Sequence, residues 1–279
     1  MSSFIAVAGG TGDLGRAIVE ALLADGKFPV IIFSRKGEGH RCSYLPVNYS
    51  SADEITRVLE ENSVHTVIST LNNMASVQPE LKLIAAADQV EGAKFSRKYA
   101  EEMPIIKPKT VIVDALEKTD LEFSAWYPGY SADYYVCPPL QSHLKSMAMV
   151  VDVVDNKAGV PGSDLAEFVA TALTLPKWEK ETYLVGDKLT WNQLVELAEA
   201  VKDVKFDVAY DSIETLEAGK VTRLPRHRSP YPYISDEQLQ PMFAIFGLMF
   251  KRTSIAQDFP NIKLRSMKEL LEEAYKLDG

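Results

Sequence analysis

A glycine-rich turn near residue 10 limits what this chain can fold into. The apolar run FIAVA at residues 4–8 contains β-branched side chains, which favours a buried strand. Residues 13–25 place apolar side chains at helical spacing, and Gly26 is suited to end that helix. The predicted apolar face of the helix comprises Leu14, Ile18, Ala21 and Leu22. The glycines between the strand and the helix are Gly9, Gly10, Gly12 and Gly15.

The spacing of these glycines fits both G-x-x-G-x-x-G and G-x-G-x-x-G, which are typical of dinucleotide-binding turns between a strand and a helix. Glycine is favoured because the turn needs unusual backbone angles and because a pyrophosphate must approach the main chain. Main-chain N–H groups and the helix dipole then face the phosphates. The alternative is a glycine-rich turn without a ligand. The predicted contacts in the turn are Gly9, Gly10, Thr11, Gly12, Asp13, Leu14 and Gly15.

The end of the second predicted strand, residues 28–35, indicates which dinucleotide binds. NAD-binding proteins place an acidic residue there to hold the ribose hydroxyls, whereas this strand ends in Ser34, Arg35 and Lys36. Two cations suit a 2′-phosphate, so the sequence predicts NADP(H). Two alternatives remain: Glu38 in the following loop serving NAD, or Arg35 as a solvated charge at a strand end.

Strand and helix patterns alternate through the first half of the chain. Helices are predicted at 52–61, 77–88 and 109–118, and strands at 65–70, 93–96 and 121–126. In the helix at 77–88, the predicted buried face is Leu81, Ile84 and Ala85. This alternation predicts an α/β fold with a Rossmann-type, doubly wound parallel sheet, which binds ligands at the carboxyl ends of its strands. Further cofactor contacts are therefore predicted at Ser69, Thr70, Leu71, Phe95 and Ser96.

The pattern changes after residue 155. Helical stretches at 164–175 and 190–201 are followed by a proline-containing loop at 223–234. The sequence therefore predicts an NADP-binding domain at 1–155 and a smaller C-terminal α/β substrate-binding region at 156–279, which contributes elements back to the first domain.

Composition limits the partners and the compartment. The net charge of −9 disfavours binding to a phosphate backbone, so nucleic acid is not expected as a partner. The two cysteines lie in no metal-binding spacing, which predicts a reduced, metal-free protein. No signal peptide is recognisable, and the run MFAIFGLMF at 242–250 is far shorter than the ~20 residues of a membrane helix. A cytoplasmic protein without a membrane partner is expected.

Several segments together resemble the NmrA-like and isoflavone-reductase-like family of atypical short-chain dehydrogenases. The segments are AVAGGTGDLGRAIVEALL, SRK, VIST, LEFSAWYPGYSADYY and DLAEFVATAL, spread over most of residues 4–175. The resemblance implies a catalytic lysine in the helix before the LEFS segment, and Lys109 occupies that place. It also implies substrate contacts at Tyr130, Tyr134 and Tyr135, whose alternative is strand packing. His143 is a further substrate candidate, and its alternative is a structural histidine.

Lys109 is unusual on chemical grounds as well. It shares a helical face with Ile112, Val113 and Leu116, so it is expected to point inward. Burial and the positive end of the helix dipole both lower the pKa of a lysine toward the range useful for proton transfer. The alternative is a surface lysine that extends from an apolar face into solvent.

Two departures from related reductases leave the reaction open. The chain contains no Tyr-x-x-x-Lys pair, and residues 95–100 lack the family's Phe-x-Pro-Ser segment beside the nicotinamide. The expected function is an NADPH-dependent reductase of a small apolar, aromatic or alkaloid-like molecule, with Lys109 managing the proton. The alternatives are an NADP-binding redox sensor that reports to a protein partner and a non-redox cyclase. A homodimer is a further possible assembly.

Overall fold

The computed structural model divides the chain into two compact units. The first comprises Met1–Tyr127 and Leu165–Thr182, and the second comprises Pro128–Asp164 and Tyr183–Gly279. The domain boundary predicted after residue 155 stays a prediction. The structure describes residues 4–34, 43–73, 76–90, 107–127, 130–131, 157–160, 162–184, 186–189, 191–203, 205–206, 208, 210–222, 235, 241 and 264–276.

The first unit is built on a parallel sheet of four strands in the order β3-β2-β1-β4. Ala8, the last residue of β1, pairs with Phe33 on one side and with Ser69 on the other, so the carboxyl ends of three strands lie at one edge. The sheet order changes direction between β1 and β4, which is where open α/β sheets bind ligands. The strands are β1 Phe4–Ala8, β2 Val30–Ser34, β3 Ser43–Pro46 and β4 Val64–Ser69.

Four helices accompany these strands and bury their apolar faces. One buried cluster joins Phe33 of the sheet to side chains of two helices, including Ile55 and Leu83. A second cluster joins Ile84 to Ile112 and Leu116. Alternating βα units bury both sheet faces, which explains why the strand VIIFS is apolar at nearly every position. The helices are α1 Asp13–Asp25, α2 Ala52–Glu61, α3 Gln78–Ala87 and α4 Lys107–Leu116.

The elements with strong end signals agree with the sequence predictions. β1 and α1 have the predicted bounds, and Gly26 ends α1 in the left-handed conformation with φ +67°. α2 also has its predicted bounds, and the Ser51 hydroxyl caps it by accepting a hydrogen bond from the Glu54 N–H. The predicted strand at 93–96 and the loop at 223–234 lie outside the described residues.

The structure contains one strand that was not predicted and differs from two local predictions. β3 was not predicted, because SYLP lacks a recognisable apolar alternation. The stretch 121–126 forms a strand only from Ala125, as β5 Ala125–Tyr127, while Phe123 is buried outside any strand. In α1 the predicted apolar residue Leu14 is exposed, because it lies in the first turn beside the glycines.

The buried face of α3 also differs from its prediction. Ala85 is exposed, and the buried residues are Glu80, Leu83, Ile84 and Ala86. A carboxylate was not expected on the apolar face, so the sequence pattern placed that face about one residue off. Because Glu80 is a charged residue, the sequence pattern did not assign it to the buried face of α3.

The second unit contains a sheet of three short strands and two packed helices. β6 pairs in parallel with β7, and β7 pairs antiparallel with β9. The helices α6 and α8 share a core that includes Leu194 and Leu271. The remaining elements in chain order are β6 Tyr130–Ser131, β7 Lys157–Val160, α5 Gly162–Ala172, β8 Glu181–Tyr183, β9 Asp187–Leu189, α6 Trp191–Lys202, α7 Ile213–Glu217 and α8 Met267–Lys276. Of these, most of α5 and β8 belongs to the first unit, which includes Leu165–Thr182.

Candidate functional site

The glycines of the β1–α1 turn divide into two kinds. Gly9 has φ +79°, and a Cβ atom there would lie 2.8 Å from the Thr70 hydroxyl oxygen. A Cβ at Gly15 would overlap the carbonyl oxygen of Gly9, and one at Gly10 would lie 3.0 Å from the Ile32 side chain. These three glycines are required by the packing of the protein itself.

Gly12 is different because the protein does not require a glycine there. Its φ of −77° suits any residue, and the nearest atom to an added Cβ is the Gly9 carbonyl oxygen at 3.4 Å. Gly12 precedes the first turn of α1, and no side chain caps the N–H groups of that turn. A bare, uncapped helix start with an unobstructed approach fits a phosphate group, which needs both close access and N–H donors.

The end of β4 supports this turn from the neighbouring strand. Both the hydroxyl and the main-chain N–H of Thr70 donate to the carbonyl oxygen of Ala8, at 2.9 Å each. Thr70 therefore holds β4 to β1 directly under Gly9 and Gly15. Its predicted role as a cofactor contact stays a prediction, while its structural role is evident.

A buried carboxylate lies beside this edge of the sheet. Glu80, in the first turn of α3, is only 4% exposed. The Asn73 amide donates to its Oε2 at 2.9 Å, and the Ser69 side chain forms a second hydrogen bond with it. Burial raises the pKa of Glu80, while the hydrogen bonds from Ser69 and Asn73 and the positive charge of Lys109 oppose that rise.

Lys109 on α4 is the cation that acts on Glu80. The residues on its helical face, Ile112, Val113 and Leu116, are buried as predicted. The Lys109 side chain itself stays accessible to solvent, so the expectation that it points inward is wrong in that respect. The protein packed around it lowers its pKa, and the Glu80 charge works against that lowering. This environment is a partly enclosed surface, with protein around the ammonium and an opening to solvent.

The two charges are not joined by a salt bridge. Within the described part of the chain, no carboxylate oxygen lies within 4.0 Å of the Lys109 ammonium, so Glu80 acts on it across a longer distance. The Asn73 Oδ1 atom is likewise buried without a hydrogen-bond partner. The cluster of Ser69, Asn73, Glu80 and Lys109, called the Lys109 cluster below, therefore holds hydrogen-bonding capacity that the described residues leave unused.

A separate groove of about 830 Å³ opens where β3 ends. Its volume lies within the range of small-molecule sites. The lining includes neither the glycine turn nor the Lys109 cluster. The residues that line it are Pro46, Val47, Asn48, Tyr49, Ser50, Glu54, Ser76, Gln78, Pro79 and Lys82.

The remaining predicted site residues fall into two groups. Ser34 ends β2, where its carbonyl accepts a hydrogen bond from Val47, and Leu71 follows β4 and is half-buried. Thr11 and Asp13 are exposed at the start of α1. Tyr130 begins β6. The predicted residues outside the described part of the chain are Arg35, Lys36, Phe95, Ser96, Tyr134, Tyr135 and His143.

Glu80 and Asn73 are the site residues that sequence reasoning missed. Glu80 precedes Leu83 and Ile84 by three and four residues, the spacing of one helical face, and that spacing was the available signal. Asn73 has no comparable signal, because a polar residue after a strand is ordinary. Among the described residues, no group of histidine, cysteine and acidic side chains is arranged to hold a metal ion, and no helix is long and apolar enough to cross a membrane.

Comparisons with known proteins agree with this architecture, although no family model matches the chain. Oxidoreductase BOA1 of Botryotinia fuckeliana (strain B05.10) is 29% identical over 255 residues, covering 81% of this chain and 83% of that protein. Oxidoreductase swnN of Metarhizium robertsii (strain ARSEF 23 / ATCC MYA-3075) is 26% identical, covering 98% of this chain and 94% of that protein.

Solved structures show the same fold. The NADPH complex of leucoanthocyanidin reductase from Vitis vinifera has a TM-score of 0.76 at 16% identity and covers 97% of this chain and 99% of its own. AtPrR2 with NADP⁺ and (+)-pinoresinol has a TM-score of 0.73 at 19% identity and covers 98% of this chain and 99% of its own. The chain thus has a Rossmann-type fold, like that of these two proteins. The predicted resemblance to NmrA-like and isoflavone-reductase-like proteins is confirmed, and the curated relatives are named oxidoreductases, as predicted.

Proposed function

We propose that the chain is an NADPH-dependent reductase of a small apolar molecule, aromatic or alkaloid-like in character. The observation that carries this proposal is Lys109, an accessible lysine with a lowered pKa in a chain that has the fold of NADPH-bound reductases. A lowered pKa brings a lysine closer to the range useful for proton transfer. AtPrR2 was crystallised with (+)-pinoresinol and NADP⁺, which supports an aromatic substrate.

The glycine turn fits the pyrophosphate of the cofactor. Gly12 leaves space before the uncapped first turn of α1, whose N–H groups and dipole favour an anion. The groove lined by Val47 and Tyr49, at the carboxyl end of β3, is suited to the adenine end because it offers apolar and aromatic surface. Arg35 and Lys36, next along the chain from β2, would pair with the 2′-phosphate.

The residues of the chain manage the proton of the reduction. Bound NADPH supplies a hydride to the substrate. The Lys109 ammonium donates one proton to the atom that gains electron density, so the substrate gains two hydrogens in total and the amine regains its proton from solvent. The accessibility of Lys109 permits both exchanges. A non-redox reaction would form product without consuming NADPH, and this difference separates the two kinds of enzyme.

The test of the cofactor site is the variant Gly12→Val, measured by calorimetric titration with NADPH. The fold is expected to survive, because a Cβ atom added at Gly12 would lie 3.4 Å from its nearest neighbour, the Gly9 carbonyl oxygen, but NADPH affinity is expected to fall at least tenfold. Ala24→Val is the matched control: it introduces the same side chain at the exposed far end of the same helix and should leave binding intact. Normal NADPH binding by a folded Gly12→Val protein would contradict the proposed site.

The preference for NADPH over NADH is tested with Arg35→Ala. One charge-assisted hydrogen bond is worth ~1.5–3 kcal/mol, so NADPH affinity should drop by roughly tenfold or more. NADH affinity should stay nearly unchanged, because NADH lacks the 2′-phosphate. Equal affinities of the unmodified protein for NADPH and NADH would rule out the 2′-phosphate contact.

A further inference from the structure

The Lys109 cluster contains a buried acid whose position has no packing explanation. Glu80 lies on the apolar face of α3, among residues that include Leu83 and Ile84, and it is 4% exposed. Burying a carboxylate costs free energy unless its charge has a use or is fully paired. Among the described residues, the side chains that hydrogen-bond to Glu80 are the neutral groups of Ser69 and Asn73, so they do not neutralise its charge.

We propose that Glu80 is a positioning residue for Lys109: its buried carboxylate, fixed by Ser69 and Asn73, is a countercharge that keeps the ammonium protonated without covering it. A direct salt bridge would occupy the N–H groups of the lysine, whereas a carboxylate beyond 4.0 Å leaves them free for a ligand. The proposal rests on the proposed function only in taking Lys109 as the proton donor.

The orientation of the hydrogen bonds supports an ionised Glu80. The Leu71 N–H donates to the Ser69 Oγ at 3.5 Å, which leaves the Ser69 hydroxyl proton for the carboxylate. The Asn73 amide group donates to the same carboxylate at 2.9 Å. A carboxyl group that only accepts hydrogen bonds is held in its charged form by them.

The electrostatic interaction is also specific to Glu80 and Lys109. Among the described residues, Glu80 is the charged group that acts on Lys109, and Lys109 is the charged group that acts on Glu80. α4 packs against α3, and the other helix packed against α3 is α2. One hydrogen bond links α2 to the turn after α3, from the Thr56 hydroxyl to the Gln89 side chain at 3.2 Å, and both groups are uncharged. Removing the Glu80 charge therefore removes the one charge among the described residues that acts on the Lys109 ammonium.

The experiment measures the protonation of Lys109 directly, without a substrate. Acetic anhydride acetylates only the neutral amine, so mass spectrometry of the Lys109 peptide across a pH series gives the pH at which half of it is deprotonated. In Glu80→Gln this midpoint is expected to move to lower pH by about one unit, because the ammonium has lost its countercharge. Glu80→Asp keeps a charge at an altered distance and should move the midpoint less.

Glu117→Gln is the matched control. Glu117 is exposed at the end of the same helix, eight residues from Lys109 or about 12 Å along the helix axis. The substitution changes the net charge by the same amount and should leave the Lys109 midpoint unchanged. The exposed Lys118, labelled in the same samples, is the internal reference.

The outcomes separate this inference from the proposed function. A Glu80→Gln midpoint that is unchanged or higher would overturn the inference, since Glu80 would then be neutral or without influence. A Glu80→Gln protein that fails to fold would overturn it too, by assigning Glu80 a structural role. NADPH titration is run on the same samples. If the unmodified protein does not bind NADPH, the proposed reductase function is refuted, while the Lys109 midpoint still tests the interaction between Glu80 and Lys109.

Discussion

In the part of the chain that the structure describes, two buried acids interact with a cation, and their surroundings are opposite in kind. Asp164 accepts hydrogen bonds from Arg265 through the main-chain N–H at 2.9 Å, through Nε at 3.0 Å and through Nη2 at 2.6 Å. Glu80 accepts from the neutral Asn73 and Ser69, and its cation, Lys109, stays at a distance. One pair is saturated with hydrogen bonds, and the other is not.

The saturated pair joins distant parts of the chain. Asp164 lies in the first turn of α5, and Arg265 precedes α8 by two residues. Arg265 also donates to Glu273 at 2.8 Å. Burial alone lowers the pKa of Arg265, but Asp164 and Glu273 outweigh it and raise that pKa above its ordinary value. Such a group holds its proton at every working pH, so the pair contributes structure and not proton transfer.

The two pairs differ in whether their cation can transfer a proton or bind a ligand. A cation that is held by several acceptors cannot give up a proton or contact a ligand, whereas Lys109 keeps its donors accessible and has a lowered pKa. Breaking the Lys109 cluster should therefore cost activity, and breaking the Asp164–Arg265 pair should cost stability.

The largest expected effect is on turnover in Lys109→Ala. Removing a placed acid or base lowers the rate by ~10²–10⁴, while NADPH affinity should stay within a few-fold. Lys109→Arg should recover little, because arginine holds its proton too strongly to donate it. The measurement is the loss of NADPH absorbance together with product formation, and Lys118→Ala on the exposed end of the same helix is the control. Full turnover in Lys109→Ala would show that Lys109 takes no part in the reaction.

The next effect is on stability in Arg265→Ala. Asp164 would be left buried without its cation, at a cost of about 2–3 kcal/mol, below the largest losses for buried pairs because the Arg265 side chain is 31% exposed. Urea denaturation measures the loss. The control is Arg57→Ala in the exposed pair with Glu61, which should cost less than about 0.5 kcal/mol. Equal losses of unfolding free energy in the two variants would show that the Asp164–Arg265 pair stabilises the protein no more than an exposed pair does.

The smallest effect is a gain in stability in Glu80→Gln. Because burial raises the pKa of Glu80 in the folded state, its favourable contribution is complete below the unfolded-state pKa and is lost as the pH rises through the folded-state value. The neutral glutamine should therefore stabilise the protein by about 1 kcal/mol at pH 8, and the gain should vanish near pH 4. The unfolding midpoints of both proteins at the two pH values test this sign; a loss of stability at pH 8 would contradict it.

The second group of the cluster has the opposite linkage. The pKa of Lys109 is lowered in the folded state, so the stability it contributes is present above the unfolded-state pKa and is lost as the pH falls through the folded-state value. The Arg265 pKa shift is upward and outside the working range. Glu80 and Lys109 therefore both contribute to the pH dependence of stability, whereas the Arg265 guanidinium does not titrate in the working range.

The sequence by itself determined the elements whose signals are local. Strand, glycine turn and helix follow one another at residues 4–26, and the glycines, the β-branched run and the closing Gly26 are sufficient to define them. The α/β class followed from the same reasoning. The sequence also singled out Lys109, because it shares a helical face with Ile112 and Leu116, which are buried, and its catalytic role stays a prediction.

Only the tertiary structure decided what surrounds that lysine. Glu80 and Lys109 lie on different helices, and the periodicity within one helix does not reveal an electrostatic interaction with a residue of another. The same limit applies to Gly12: the sequence shows four glycines of equal appearance, and the packing of Thr70 and Ile32 against three of them singles out the fourth. Local patterns specify backbone conformation, because φ/ψ preferences and side-chain periodicity act between near neighbours. Charge pairing and free space depend on residues brought together by folding, so they are properties of the tertiary structure.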